Sequence, residues 1–361
     1  MSQRKIPGLQ KVGNHWHIDK VYKGQRLHES TGTSSLEKAQ ENLAKRLEEL
    51  RQAVIFGVRP KRTFSEAAAK YLNENLHKRS IEDSAMRLRK LDQFIGSKFL
   101  NEIYNETLLE FKNVRLQEDK VKKKTVNLAL QTVRQILNLA ANEWRDENGL
   151  TWLDQAPKIK MLKVDDAAKP YPLKWAEQGR LFHLLPTHLE TMCLFKINTG
   201  CREQEVCNLQ WSWEYEVPEL KTTVFIIPGH VAKNGQERLI VLNDVAKASV
   251  ESQRGMHDTH VFCYRGNPIS NMRTHAWRKA WINSGLPTDG SYLKGVHNLR
   301  HTFATRLRAA RVSYEDRQDL LGHANGNVTT HYSAPEIGNL IDAVNTVKEK
   351  TRELTLLRKV N

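Results

Sequence analysis

The spacing of apolar residues changes period several times along the chain, and each change marks a boundary. In His15–Tyr22 apolar and polar residues alternate as in a strand, Lys23-Gly24 reads as a turn, and Gln25–Thr31 continues as a second strand. Ser34 and Ser35 then cap a helix over Leu36–Val54, with Leu43, Leu47 and Leu50 at helical spacing. Gly57 and Pro60 break that pattern, and from Thr63 to about Trp152 the period is helical throughout. Helices are expected at Ser65–Glu74, Glu82–Ile95, Glu106–Gln117 and Lys124–Trp144. The last carries Leu128, Val133, Ile136, Leu137 and Ala140 at spacings of three and four.

The stretch 156–172 holds three prolines and no clear period, which predicts an extended connection. Beyond it, helices are expected at 174–185 and 187–199. Gly200 ends the second and Arg202 opens another, which runs on through Glu205, Val206 and Leu209. Thr223–Ile227 and Arg238–Leu242 read as strands. Asn234-Gly235 between them signals a hairpin with Lys233 at an exposed tip. Helices follow at 244–254 and 270–284, where Trp277 and Trp281 read as packing residues. The pattern therefore predicts a mainly α chain with small β-sheets, an α+β protein. Its expected parts are a module at 1–57 (β-ribbon plus helix), a helical domain at 63–155, a linker at 156–172 and a third domain at 173–361.

Charge narrows the class of partner. The 361 residues carry 56 Lys+Arg against 41 Asp+Glu, a net charge of +15. That surplus points to a polyanion, nucleic acid first, although a merely basic soluble protein has the same composition. Residues 1–60 hold 11 Lys/Arg and 6 Asp/Glu, a local net of +5. Lys112, Arg115, Lys120, Lys122, Lys123 and Lys124 gather around one interhelix turn. A solvated face produces such a run as well, but beside the overall charge a phosphate-contacting face is favoured. Cys193, Cys201, Cys207 and Cys263 form no CxxC pair and no zinc spacing, so buried thiols and no metal are expected. No Walker-type loop, carboxylate cluster or Ser-His-Asp order is present. No cofactor is expected. With no membrane-length apolar run and no signal-like start, the expected location is the cytoplasm.

Candidate chemistry concentrates in Gly295–Tyr332. His297 and Arg300 stand three apart on an expected helix and so share a face. A second helix ends at Leu320-Leu-Gly-His323, and Tyr332 follows nine residues after that histidine. A cationic pocket of His297, Arg300 and His323 with a tyrosine oxygen beside it is what attack on a DNA phosphodiester requires. A tyrosine with pKa about 10 is a poor nucleophile at neutral pH unless cations stabilise the charge that develops.

Thr-Gly-Cys-Arg202-Glu-Gln-Glu205-Val-Cys-Asn-Leu209, Lys233 between two strands, His297-Asn-Leu-Arg300-His301, Leu-Leu-Gly-His323 and Thr-Thr-His-Tyr332 together resemble the signature of the tyrosine recombinases, specifically the phage-type integrases. They stand in the family's order over about 197–335. The N-terminal module and helical domain resemble the family's arm-binding and core-binding domains in outline. The resemblance implies Tyr332 as nucleophile, forming a 3′-phosphotyrosine link and freeing a 5′-hydroxyl. It implies Arg202 and Arg300 on the non-bridging oxygens, His297 and His323 as further donors or proton carriers, and Lys233 as general acid. Guanidinium suits the phosphate because its planar fork matches two oxygens and stays charged, whereas a lysine can give up a proton.

The same resemblance implies double-stranded DNA as partner at core-type and arm-type sites. It implies a homotetramer on DNA, a DNA-bending host protein and an excisionase as helpers, and a nucleoid setting in a bacterial host. The implied reaction integrates and excises a phage or other mobile element. A type IB topoisomerase and a non-catalytic DNA-binding regulator are the alternatives. Two positions depart from the family. Arg311 stands where glycine is common, so the turn is expected to differ, and Asn298 replaces a frequent aspartate with little expected effect. After Tyr332 an apolar helix with Ile337, Leu340, Ile341 and Val344, then a basic tail, is expected to dock on a neighbouring subunit or on its own domain.

Overall fold

The computed structural model describes residues 6–22, 24–232, 235–322 and 334–347. These form two compact units, 1–167 and 168–361.

The first unit opens with an antiparallel sheet of β1 (Leu9–Val12), β2 (His15–Tyr22) and β3 (Gln25–Ser30), in that order. Helix α1 (Leu36–Phe56) lies on it, sealing a small core of Leu9, Ile18 and Ala39. The strand β1 had no clear alternation in sequence; pairing with β2 over Leu9↔Ile18 to Val12↔His15 creates it. Four further helical segments follow. They are α2 (Phe64–Glu74), α3 (Ile81–Ile95), α4 (Leu109–Asn113) and α5 (Lys123–Asn142). Thr63 and Glu66 close a reciprocal capping box at the start of α2, which fixes where that helix begins. The helix expected over Glu106–Gln117 is shorter. Its second half, Val114–Glu118, widens into a π-helical turn that ends before Lys120, where φ is 50°.

The stretch 156–172 is extended but not loose. Asn105 donates to Lys158 O and accepts from Lys160 N, and Asn127 does the same with the backbone of Leu162. Each amide mimics a strand partner, so residues 158–162 are bound to the helical body. Residues 169–173 instead join the second unit. Lys169 pairs with the backbone of Ser291 and Leu293, Tyr171 N donates to Asn298 Oδ1, and Leu173 N donates to Thr302 Oγ1. Asn298 is fully buried, and its Nδ2 donates to Leu293 O, so it is a two-way hydrogen-bond hub.

The second unit begins with α6 (Trp175–His183), α7 (Thr187–Thr199) and α8 (Glu203–Cys207). A sheet of β4 (Glu214–Val217), β5 (Thr222–Ile227) and β6 (Arg238–Ile240) follows, all antiparallel. Ile227 pairs with Arg238, and the described residues between them, 228–232 and 235–237, are connection; Lys233 and Asn234 of the expected hairpin tip lie outside the described residues. Ala232, 2% exposed, packs in the core, and its N–H donates to Pro228 O.

Then come α9 (Asp244–Glu251), the short hairpin β7 (Cys263–Tyr264) and β8 (Asn267–Pro268), and α10 (His275–Asn283). The last three long elements are α11 (His297–Ala309), α12 (Tyr314–Leu321) and α13 (Ala334–Asn345). Trp277 and Trp281 are both packed in the core, each ring N–H donating to a backbone carbonyl. Helix α13 buries Ile337, Leu340 and Val344 against Val217, Val224, Phe303 and Leu307 of its own unit. The protein is thus mainly helical with small antiparallel sheets. Among the described residues no helix is long and apolar enough to cross a membrane.

Candidate active site

Three segments converge on the C-terminal end of α12. The first is the turn between α7 and α8. Gly200 caps α7 with φ 65°, and a Cβ there would sit 2.5 Å from the Phe303 ring, so only glycine fits. The turn delivers Arg202 to the N-cap of α8, where its backbone N donates to Glu205 Oε2 at 2.6 Å and its Nη1 to Glu205 Oε1 at 2.7 Å. The second is the start of β6, where buried Arg238 donates to the other face of the Glu205 carboxylate. The third is the first turn of α11, where buried Arg300 donates to Gly200 O at 2.7 Å.

All three guanidiniums also grip α12. Arg238 Nη2 donates to Leu320 O at 3.2 Å, Arg300 Nη2 to Leu321 O at 2.6 Å, and Arg202 Nη2 to Gly322 O at 3.2 Å. The last carbonyls of a helix have no intrahelical donor and carry its negative dipole end, so successive cations satisfy them in order.

The charge balance favours an anion. Arg202 and Arg238 both bind one carboxylate, Glu205, which is itself 5% exposed, while Arg300 donates to backbone carbonyls nearby. Burial opposes the ionised form of Glu205, but the guanidiniums of Arg238 and Arg202 outweigh it and hold the carboxyl below its ordinary range. Burial and the neighbouring Arg238 and Arg202 push Arg300 down to about 10, still charged at neutral pH. Beneath them Lys196, fully buried, donates to Cys201 O, and burial lowers it to about 8.

His297 corrects one expectation. It was read as part of a cationic pocket, but burial, His301 and the nearby Lys196 and arginines push its pKa down to about 4. At neutral pH the imidazole is therefore uncharged and offers one N–H, a donor rather than a cation. It stands 4.8 Å from the His301 ring, edge to face. It also lines a groove of about 770 Å³ with Arg273, Arg278 and Lys294.

Of the six expected catalytic residues, the structure brings Arg202, Arg300 and His297 into this one site. Lys233, His323 and Tyr332 lie outside the described residues, as does the basic tail from Lys348. Reasoning from the sequence passed over Arg238 and Lys196 and gave Glu205 no role. A signal for Lys196 was present: a lone lysine inside the apolar run Met192-Cys193-Leu194-Phe195-Lys196-Ile197. Arg238 had no such signal, since an arginine at a strand start usually faces water.

The basic run in the first unit is less uniform than expected. Lys112 is 8% exposed, because it falls on the inner side of α4, and burial lowers its pKa. Arg115 pairs with Asp119, and Lys123 Nζ with Asp165 at 2.7 Å. Lys120, Lys122 and Lys124 are the exposed members. Cys193, Cys201 and Cys207 are buried free thiols, Cys263 is a partly exposed one, and no cluster of metal-ligating side chains occurs among the described residues.

Comparison with known proteins finds relatives of both the sequence and the fold. Residues 176–337 match the model of the phage integrase family. The integrase of Salmonella phage P22 is 24% identical over 89% of both chains. The tyrosine recombinase XerC of Staphylococcus epidermidis is 28% identical over 37% of this chain and 45% of that protein. Among solved structures, a lambda integrase dimer bound to a COC′ core site superposes over 99% of both chains with TM-score 0.56 at 14% identity. A lambda integrase tetramer bound to a Holliday junction covers 92% of this chain and 98% of that one with TM-score 0.56 at 16% identity. Residues 176–337 thus match the phage integrase family, and the chain as a whole has a fold similar to that of lambda integrase.

Proposed function

We propose that the protein is a site-specific DNA recombinase that cuts and rejoins DNA through a 3′-phosphotyrosine intermediate, integrating and excising a phage or other mobile element. The observation that carries this reading is the surplus of guanidinium over carboxylate at the end of α12, where Arg202 and Arg300 are held ready for an anion.

In the proposed reaction the Tyr332 oxygen attacks phosphorus, its proton passing to a neighbouring histidine or to water, while the bond to the 5′-oxygen breaks. Lys233 protonates that leaving oxygen. Arg202 and Arg300 bind the non-bridging oxygens, and each such donor is worth on the order of 10²–10³ in rate. His297, neutral when the site is empty, donates a hydrogen bond and gains basicity once the phosphate charge arrives. His323 supplies a second donor. The phosphotyrosine conserves the bond energy, so neither ATP nor a metal enters the balance.

Lys120, Lys122 and Lys124 are the proposed phosphate contacts of a core-DNA-binding domain spanning 63–155. The sheet and helix of 1–57 are the proposed arm-site reader. Lambda integrase forms a tetramer on a Holliday junction. A homotetramer on two duplexes, helped by a DNA-bending protein and an excisionase in a bacterial nucleoid, is the corresponding proposal here.

The test uses the wild-type chain and Tyr332→Phe. Wild type should give a detergent-resistant protein–DNA adduct and recombine two plasmid-borne attachment sites, while Tyr332→Phe should bind DNA but form no adduct. Adduct persisting in Tyr332→Phe refutes the nucleophile, and relaxation of single plasmids without exchange would instead mark a topoisomerase.

A further inference from the structure

We infer that Arg238 is a positioning residue for strand cleavage, the side chain that fixes Arg202 and the end of α12 relative to each other. It is 4% exposed, and both of its Nη atoms are bound within the protein, to Glu205 and to Leu320 O. Its guanidinium spans two elements. Nη1 donates to one oxygen of Glu205, whose other oxygen receives Arg202 Nη1 at 2.7 Å, and Nη2 donates to Leu320 O at 3.2 Å. One planar fork therefore holds a carboxylate on α8 and a carbonyl on α12 at a set spacing, which a lysine ammonium does not do.

Packing points the same way. A Cβ on Gly322 would lie 2.7 Å from Arg238 Nε and 2.8 Å from its Cδ, so the bare backbone at 322 is what lets Arg238 lie against the helix end. Without Arg238, Glu205 keeps Arg202 as its only guanidinium partner and is free to turn with it. The Arg202 fork then loses the fixed carboxylate that aims it. The cost should fall on the chemical step, where a displacement of about 1 Å in a positioned group costs on the order of 10²-fold. Ground-state DNA binding draws on many other cations and should change little.

This inference rests on the strand-cleavage reading above and is tested on the full chain. The probe is a nicked duplex carrying the attachment sequence recovered from the wild-type adduct. Single-turnover adduct formation at saturating DNA is compared with Kd for wild type, Arg238→Met, Arg238→Lys, Arg202→Lys and the Arg238→Met/Arg202→Lys pair. Arg238→Met should lower the rate about 10²-fold with Kd within about threefold, and Arg238→Lys should recover part of the loss. Because Arg238 acts through Arg202, its loss should shrink to about tenfold or less when residue 202 is already lysine.

Equal losses in the two backgrounds would overturn the inference, since a purely structural residue lowers both alike. So would an unchanged rate in Arg238→Met. If Arg238→Met does not fold, the same cycle is run with Arg238→Lys, and the same additivity decides. Wild-type protein that forms no adduct on any duplex refutes the strand-cleavage reading itself, and this inference with it.

Discussion

Glu205→Gln is the sharpest perturbation of the site that leaves its shape intact. The carboxylate accepts from Arg202 N at 2.6 Å, from Arg202 Nη1 at 2.7 Å and from Arg238 Nη1, all in a setting where Glu205 is 5% exposed. Glutamine keeps one acceptor oxygen but turns an NH₂ toward a guanidinium and removes the one carboxylate that Arg202 and Arg238 bind among the described residues. Breaking a buried ion pair by removing one partner costs about 3–5 kcal/mol. The retained oxygen places the expected loss near 3 kcal/mol, roughly 6–12 °C in Tm for a unit of this size. Urea and thermal unfolding of the full chain, followed by Trp fluorescence, measure it.

The pH dependence gives a second readout. The folded pKa of Glu205 lies below its unfolded value, so its contribution is complete above the unfolded value and drains as pH falls through the folded one. The gap between wild type and Glu205→Gln should therefore narrow on acidification below the ordinary glutamate range. A difference under about 1 kcal/mol at pH 7, or one that widens as pH falls, would show that this carboxylate does not neutralise the arginines.

Three other outcomes are expected. Arg311 is exposed and has φ 63°, so the left-handed turn keeps the conformation usual for glycine in spite of the side chain; Arg311→Gly should stabilise by about 0.5–1 kcal/mol in urea unfolding. Gly200→Ala adds a left-handed alanine and a Cβ 2.5 Å from Phe303, and should lower stability by about 2 kcal/mol or more while slowing adduct formation, which tests whether this turn sets Arg202. Replacing Lys120, Lys122 and Lys124 together by Gln should reduce the salt dependence of DNA binding by roughly two to three counterions, whereas Lys112→Gln should leave that slope unchanged, as fits its burial.

The linear sequence determined a good deal of this protein. Helices such as Ile81–Ile95 and Lys123–Asn142, and the strand His15–Tyr22, follow from periodicity alone, because burying one face of an element needs only local spacing. The order of Arg202, His297 and Arg300 was legible for a related reason: each sits beside a local signal, a glycine cap or a helix start, that fixes its backbone. Tertiary structure decided what depends on neighbours distant in sequence. Arg238 meets Glu205 and Leu320 from 33 and 82 residues away, and nothing in its own surroundings marks it. His297 is neutral because the fold buries it and sets His301, Lys196 and Arg300 beside it, and Lys112 turns inward because α4 packs that way. Asn298 was expected to matter little, yet its amide donates and accepts between Leu293 and Tyr171, a role an ionised aspartate cannot fill. Periodicity along a chain encodes which face is buried, while charge state and hydrogen-bond partners are set by what the fold brings alongside.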